Sequence, residues 1–278
     1  MAPLSSPACL IDGQPQHLLE ANDRGFAYGD GVFETIAIVN HAPTLWQAHM
    51  DRLNAGCHQL GFLAPAQKAF EQDLATLDLP ESGVLKLIAT RGMGGRGYAP
   101  PAEATPRRIL QIQPSRPTLE GADAGIDVRW CETRLAPQPA LAGIKHLNRL
   151  EQVLARQECQ QDGTAEGLMC DVNGALVEAT AGNLIIEQGN GWIFPMGADC
   201  GVSGVMQSYL ELVAKQWNIP VTHRVFMPHE INAQSAIFIC NSLIGVVPVR
   251  AIGRQRLTIS PNFARIRTHL IANELVAP

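Results

Sequence analysis

Charge is scarce in this chain and long apolar runs are missing. Charged residues make up 17% of its 278 positions and the formal net charge is -5. That balance excludes a general nucleic-acid binder while leaving room for a local cationic pocket that serves an acidic metabolite. No stretch approaches the roughly 20 apolar residues that span a membrane. The opening Met1-Ala2-Pro3-Leu4-Ser5-Ser6 also lacks the charged and apolar segments of a signal peptide. A cytoplasmic location is therefore expected. The seven cysteines, at 9, 57, 131, 159, 170, 200 and 240, form no CxxC pair. Their odd count and long spacing favour reduced, mostly buried thiols over a disulfide framework or structural zinc. HExxH, a Walker A ending and internal repeats are absent, and the glycines at 25, 29 and 31 do not have the GxGxxG spacing of a dinucleotide site. No metal is expected.

What is present suits a globular protein of ordinary apolar content, 46%, long enough for one large or two modest domains. Proline, serine and glycine interrupt every pattern in Pro114-Ser115-Arg116-Pro117-Thr118-Leu119-Glu120-Gly121. The expected division is 1–113, a linker at 114–121, and 122–278. Strands are expected at Cys9–Ile11, 32–39, Val84–Thr90, Arg107–Ile112, Ile126–Cys131, Gly167–Cys170, 176–180, 183–186, 192–194, 221–226 and 236–240. Helices are expected at 45–60, Pro65–Leu77, after Gly201-Val202-Ser203-Gly204, and after Ser260-Pro261. In the first of these, Trp46, Met50, Leu53, Cys57 and Leu60 trace the apolar stripe, with His49 and Arg52 on a neighbouring surface.

The segment from Gly143 to Arg156 is the most telling. Leu147, Leu150 and Leu154 recur at helical spacing, which predicts a helix with one buried face and Lys145 in or just before its first turn. A cation is disfavoured at a helix start. Lys145 is either a surface charge beside a misplaced boundary or a lysine held near an electrophilic, phosphate-bearing ligand. Elsewhere, Asn22 to Thr35 is a tight loop rich in glycine and aspartate that runs into a strand. Arg91-Gly92-Met93-Gly94-Gly95-Arg96-Gly97-Tyr98 is either a hairpin tip or an anion clamp. Glu178 stands among apolar neighbours, and Ser203 suits either a helix cap or a phosphate donor. A reactive lysine, a strand carboxylate, a small-residue helix start and an arginine together match the needs of pyridoxal phosphate.

At these residues the chain resembles the fold type IV pyridoxal-phosphate enzymes, which include branched-chain and D-amino-acid aminotransferases and aminodeoxychorismate lyases. The likeness runs through Asp23-Arg24-Gly25, Tyr28 to Glu34, His49 to Leu53, Lys145 to Leu150, Val177 to Leu184, Gly201 to Gly204 and Val246 to Val249. Together, the Arg91–Tyr98 stretch and Lys145-His146-Leu147-Asn148-Arg149-Leu150-Glu151-Gln152 most resemble the lyases. The resemblance implies an α/β (α+β) fold, with a small N-terminal domain and a larger C-terminal domain on a barrel-like sheet. It also implies a homodimer that uses pyridoxal 5'-phosphate to turn 4-amino-4-deoxychorismate into 4-aminobenzoate and pyruvate. The alternative is a D-amino-acid or branched-chain aminotransferase.

By position, the resemblance makes Lys145 the Schiff-base lysine, Glu178 the partner of the pyridine nitrogen and Arg52 the phosphate-binding arginine. Val202, Ser203 and Ser242 join Arg52 around the phosphate. Thr35 is placed near the reacting centre, and Tyr28, Arg91, Arg96 and Asn148 toward substrate. Asn148 stands where the aminotransferases commonly carry tyrosine, and Ser203-Gly204 where they tend to have Thr-Arg. Both departures point away from a plain transaminase.

Overall fold

The structure, a computed structural model, describes residues 9–114, 122–197 and 199–276. It divides the chain into two compact units. One takes Met1–Arg116 with Ile144–Asn148 and Glu274–Pro278, the other Pro117–Gly143 and Arg149–Asn273. Beyond Pro114, the expected linker lies outside the described residues. The five residues around Lys145 group with the first unit, although a split into two consecutive stretches assigns them to the second.

The first unit holds β1 (Cys9–Ile11), β2 (Gln14–Pro15), α1 (Arg24–Tyr28), β3 (Gly31–Val39), β4 (Ala42–Pro43), α2 (Trp46–Gln59), α3 (Gln67–Leu74), β5 (Ser82–Thr90) and β6 (Arg107–Gln113). Its sheet is antiparallel throughout, in the order β2-β1-β6-β5-β3-β4. β3 and β5 pair without interruption from Gly31↔Thr90 to Val39↔Ser82, and alternation along them makes two different faces. One face carries Val32, Glu34, Ile36 and Ile38, and α2 packs there with Met50, Leu53 and Cys57 buried. Each such aliphatic side chain contributes about 1.5–3 kcal/mol by leaving water. The other face carries Phe33 and Thr35, paired with Ile88 and Lys86. His49 lies within the buried stripe of α2, where the spacing had set it beside that stripe.

The second unit holds β7 (Ile126–Trp130), α4 (Leu150–Asp162), β8 (Glu166–Cys170), β9 (Leu176–Ala179), β10 (Asn183–Gln188), β11 (Gly191–Pro195), α5 (Val205–Gln216), β12 (Val221–Arg224), β13 (Ala236–Asn241), β14 (Gly245–Ile252), β15 (Gln255–Arg256) and α6 (Asn262–Ala272), with 3-10 turns at Ala122–Ala124 and Pro228–Glu230. Eight strands run β12-β11-β10-β13-β14-β7-β8-β9, and β15 pairs with β14. The pairing is mixed, with parallel contacts at β11–β12, β14–β7 and β7–β8. The sheet curls, so that Ala179 at the end of β9 bridges Gly182 just before β10. Its core gathers Val128, Leu168, Leu184, Ile237, Ile239 and Val249. Among the described residues no helix is long and apolar enough to cross a membrane.

The expected helix around Lys145 is corrected here. Helical structure begins only at Leu150, after an extended stretch. The Phe33 N–H donates to the Lys145 carbonyl and the Leu147 N–H to the Gly31 carbonyl, each at 3.0 Å, with Val32 bridging His146 antiparallel. Backbone groups committed to β3 are unavailable for a helical turn. The leucine stripe also faces outward: Leu150 is 76% exposed and Leu154 52%, while α4 buries Ala155 and Cys159.

Candidate active site

In the first unit, the strand pairing of Lys145 with Phe33 fixes the lysine's backbone and brings its Nζ to 4.4 Å from the Phe33 ring centroid. A second ammonium, that of Lys86, lies 5.6 Å from the same ring. Lys86 stands opposite Thr35 across the β3–β5 pair, so Phe33, Thr35 and Lys86 share one sheet face. Sequence reasoning passed over Lys86; its signal was a lone cation within the apolar strand Val84-Leu85-Lys86-Leu87-Ile88.

Arg52 reaches β3 from α2. Glu34 grips it with both carboxylate oxygens: Arg52 Nε donates to Oε1 at 2.7 Å and Nη2 donates to Oε2. His49 Nδ1 lies 2.6 Å from the same Oε2. Burial pushes the Glu34 carboxyl up, but hydrogen bonds from Arg52 and His49 outweigh it and hold the pKa below the ordinary glutamate value. Burial lowers the His49 pKa against the pull of Glu34, and the charges of Arg52 and Lys145 act in the same direction as burial. His49 and Glu34 thus meet through one short, buried hydrogen bond. Neither Glu34 nor His49 was singled out from the sequence as a site residue.

The glycine loops of this unit are built on two arginines. Arg24 Nε and Arg91 Nε each donate to Asp30 Oδ2 at 2.8 Å. Arg24 also donates to the carbonyls of Gly97, Tyr98 and Ala99. Arg91 donates to those of Leu60 and Gly61 and lies over the Phe62 ring. The Arg91 guanidinium is thus committed to the frame, whereas Arg96, on the same loop, is exposed. Tyr28 ends α1, with Arg24 over its ring and the Tyr98 ring at its edge. Asn148 is exposed and donates from Nδ2 to the Gly29 carbonyl at 3.1 Å.

In the second unit, Glu178 on β9 is 5% exposed. Its Oε2 accepts from the Val202 N–H at 2.9 Å and its Oε1 from Gln152 Nε2 at 3.2 Å. Gln152 was quoted in a motif without a role assigned to it. The Val202 carbonyl accepts from Asn183 Nδ2, and the Ser203 N–H donates to the Gly143 carbonyl at 3.1 Å. Gly204 is the N-cap residue of α5 and supplies no side-chain cap bond. A Cβ on Gly204 would lie 1.8 Å from Asn183 Oδ1, so a larger residue there would displace the Asn183 side chain from the Val202 carbonyl. Ser242 is buried in the β13–β14 turn, which Asn241 pins by accepting from the Leu243 and Ile244 N–H groups.

The donor chemistry fits pyridoxal phosphate. The first unit supplies an amine and an arginine. The second supplies a buried carboxylate that accepts from the Val202 N–H and Gln152, and a helix start, a natural setting for a phosphate.

Residues 31–252 match the family described as amino-transferase class IV. The chain is 31% identical to an aminodeoxychorismate lyase of Vibrio harveyi over 265 residues, 95% of this chain and 98% of that protein. The crystal structure of 4-amino-4-deoxychorismate lyase from Pseudomonas aeruginosa is similar with a TM-score of 0.89 and 42% identity, covering 95% of this chain and 98% of that one. The branched-chain amino acid aminotransferase of Escherichia coli shares the fold, with a TM-score of 0.85 at 21% identity over 97% and 95% of the two chains. Because the family match spans most of the chain and the likeness to the two lyases covers 95% of it, the chain belongs to the amino-transferase class IV family and has the fold type IV architecture.

Proposed function

We propose that this protein is an aminodeoxychorismate lyase, which converts 4-amino-4-deoxychorismate to 4-aminobenzoate and pyruvate in the 4-aminobenzoate branch of folate synthesis. The observation that carries this reading is the likeness to two such lyases over 95% of the chain. Bound pyridoxal 5'-phosphate supplies an electron sink beside the carbon that bears the substrate amine.

Lys145 Nζ anchors the cofactor and then takes the proton from that carbon. Glu178, held by Val202 and Gln152, keeps a proton on the pyridine nitrogen. Arg52, Val202, Ser203 and Ser242 hold the phosphate. Thr35 and Lys86 orient the substrate: the Thr35 hydroxyl lies near the reacting centre and the Lys86 ammonium meets a carboxylate. Arg96 meets the second carboxylate, and Arg91 acts through the loop it braces. Tyr28 and Asn148 border the substrate. As the proton leaves, the bond from the ring to the enolpyruvyl oxygen breaks and the ring becomes aromatic. The released enolpyruvate takes up a proton to give pyruvate, which balances the reaction.

The protein is further proposed to be a cytoplasmic homodimer. The outward stripe of Leu150, Val153 and Leu154 suits burial against a second copy. The shared fold keeps an aminotransferase as the second reading. Incubation with 4-amino-4-deoxychorismate is expected to yield pyruvate and 4-aminobenzoate in equal amounts, with no pyridoxamine form accumulating when D-alanine or L-leucine is added alone. No pyruvate from 4-amino-4-deoxychorismate, together with full conversion to the pyridoxamine form by an amino acid and release of the matching 2-oxo acid, would make the protein an aminotransferase.

A further inference from the structure

Glu34 is a carboxylate on β3 that is 1% exposed, with three donors converging on its two oxygens. A carboxylate this deep is expensive unless every lone pair finds a donor. Two of the donors belong to one guanidinium, and a bidentate grip of this kind fixes the plane and direction of an arginine as well as its place. Because the grip takes the Nε–Nη2 edge of Arg52, it sets where the Nη1 side points. His49 clamps the assembly from the same helix. It is fully buried, and among the described residues its Nε2 meets no hydrogen-bond partner. The polar contact that orients this imidazole is therefore its bond to Glu34.

Resting on the reading of Arg52 as a phosphate ligand, we infer that Glu34 is a positioning residue that aims the Arg52 guanidinium at the cofactor phosphate, with His49 locking the Glu34 carboxylate in place. Pre-setting the arginine spares the phosphate the entropic cost of ordering a flexible side chain. Glu34 contributes nothing to the rest of the cofactor, which sets the test: its effect must be confined to ligands that carry the phosphate.

The test is titration of the cofactor-free protein with pyridoxal phosphate and, separately, with pyridoxal, which has the aldehyde and ring but no phosphate. The readout is the ratio of the two affinities, followed by lysine-dependent visible absorbance, in the wild type, Glu34→Gln, Arg52→Gln and the double variant. Glu34→Gln is expected to weaken pyridoxal phosphate about tenfold and leave pyridoxal as it was, and the double variant is expected to be no weaker than Arg52→Gln. A merely structural Glu34 would change both affinities together. If Arg52→Gln lowers the ratio while Glu34→Gln preserves it, the inference is overturned and Arg52 remains the phosphate ligand. If Arg52→Gln preserves it, the reading of Arg52 fails and the inference with it. If Glu34→Gln does not fold, Glu34→Asp replaces it, since this keeps the charge but withdraws it by one methylene. A ratio equal to the wild type in that variant overturns the inference.

Discussion

Arg91 and Arg96 share a loop and a side-chain type but not a job. Each of the three guanidinium nitrogens of Arg91 donates to Asp30 or to the carbonyl of Leu60 or Gly61, and its side chain is 9% exposed. Arg91→Ala is therefore expected to cost about 1–2 kcal/mol of unfolding free energy, since its hydrogen bonds are lost while Arg24 stays paired with Asp30, measured by urea unfolding. Burial raises the Asp30 carboxyl, but hydrogen bonds from Arg91 and Arg24 outweigh it and hold its folded pKa below the ordinary value. A depressed carboxylate contributes stability that is fully present above the unfolded pKa, about 3.9. That stability is lost as pH falls through the lower, folded pKa. The gap between wild type and Arg91→Ala should thus narrow in strong acid, leaving the part that comes from the Leu60 and Gly61 carbonyls and the Phe62 ring; a gap that does not change with pH would show that Asp30 contributes nothing to it. Arg96→Ala is expected to change stability by no more than about 0.5 kcal/mol while raising KM for the substrate. From the sequence the two arginines were equivalent, because a guanidinium's partners here are backbone carbonyls far along the chain, which no local pattern encodes.

Among the elements, the glycine-rich loop after β5 is fastened at its base and at its far side. Gly92 has φ +85°, and a Cβ there would lie 2.0 Å from the Thr105 carbonyl oxygen, whereas a Cβ on Gly95 would meet nothing within 4 Å. Gly92→Ala is expected to lose about 3 kcal/mol through backbone strain and clash, and Gly95→Ala to be close to neutral, both read from urea midpoints. Equal effects would mean that the loop is not anchored at Gly92. The long strands and α2 were legible because alternation and a helical stripe are properties of neighbouring residues. The stretch Ile144–Asn148 was misread for the converse reason. A leucine stripe says that apolar residues share a face without saying what covers it, and the pairing of Lys145 and Leu147 with β3 joins residues far apart in sequence. The short α1 also escaped notice. It is only five residues long, so its one local sign was Asp23, which accepts from the Gly25 N–H as an N-cap.

Over the whole molecule, each of the two units is built on its own sheet, and Lys145 groups with the first. The class of fold and the cofactor were legible, since the lysine, arginine, carboxylate and small-residue helix start each have their own chemistry and a recognisable spacing. The groups that orient them were less so: Glu34, His49, Lys86 and Gln152 acquire meaning only from residues on other strands and helices. The thiols were legible from composition alone. All seven are free, and burial pushes Cys57, Cys131 and Cys240 up to about 12 and Cys200 up to about 11, leaving amine rather than thiol chemistry to the site. The most direct measurement is borohydride reduction of the protein loaded with pyridoxal phosphate, followed by peptide mass mapping of the pyridoxyl group. The expected label is on Lys145 and not on Lys86, whose ammonium lies by the same Phe33 ring. A label on Lys86, or on no lysine at all, would contradict the assignment of Lys145 as the covalent anchor.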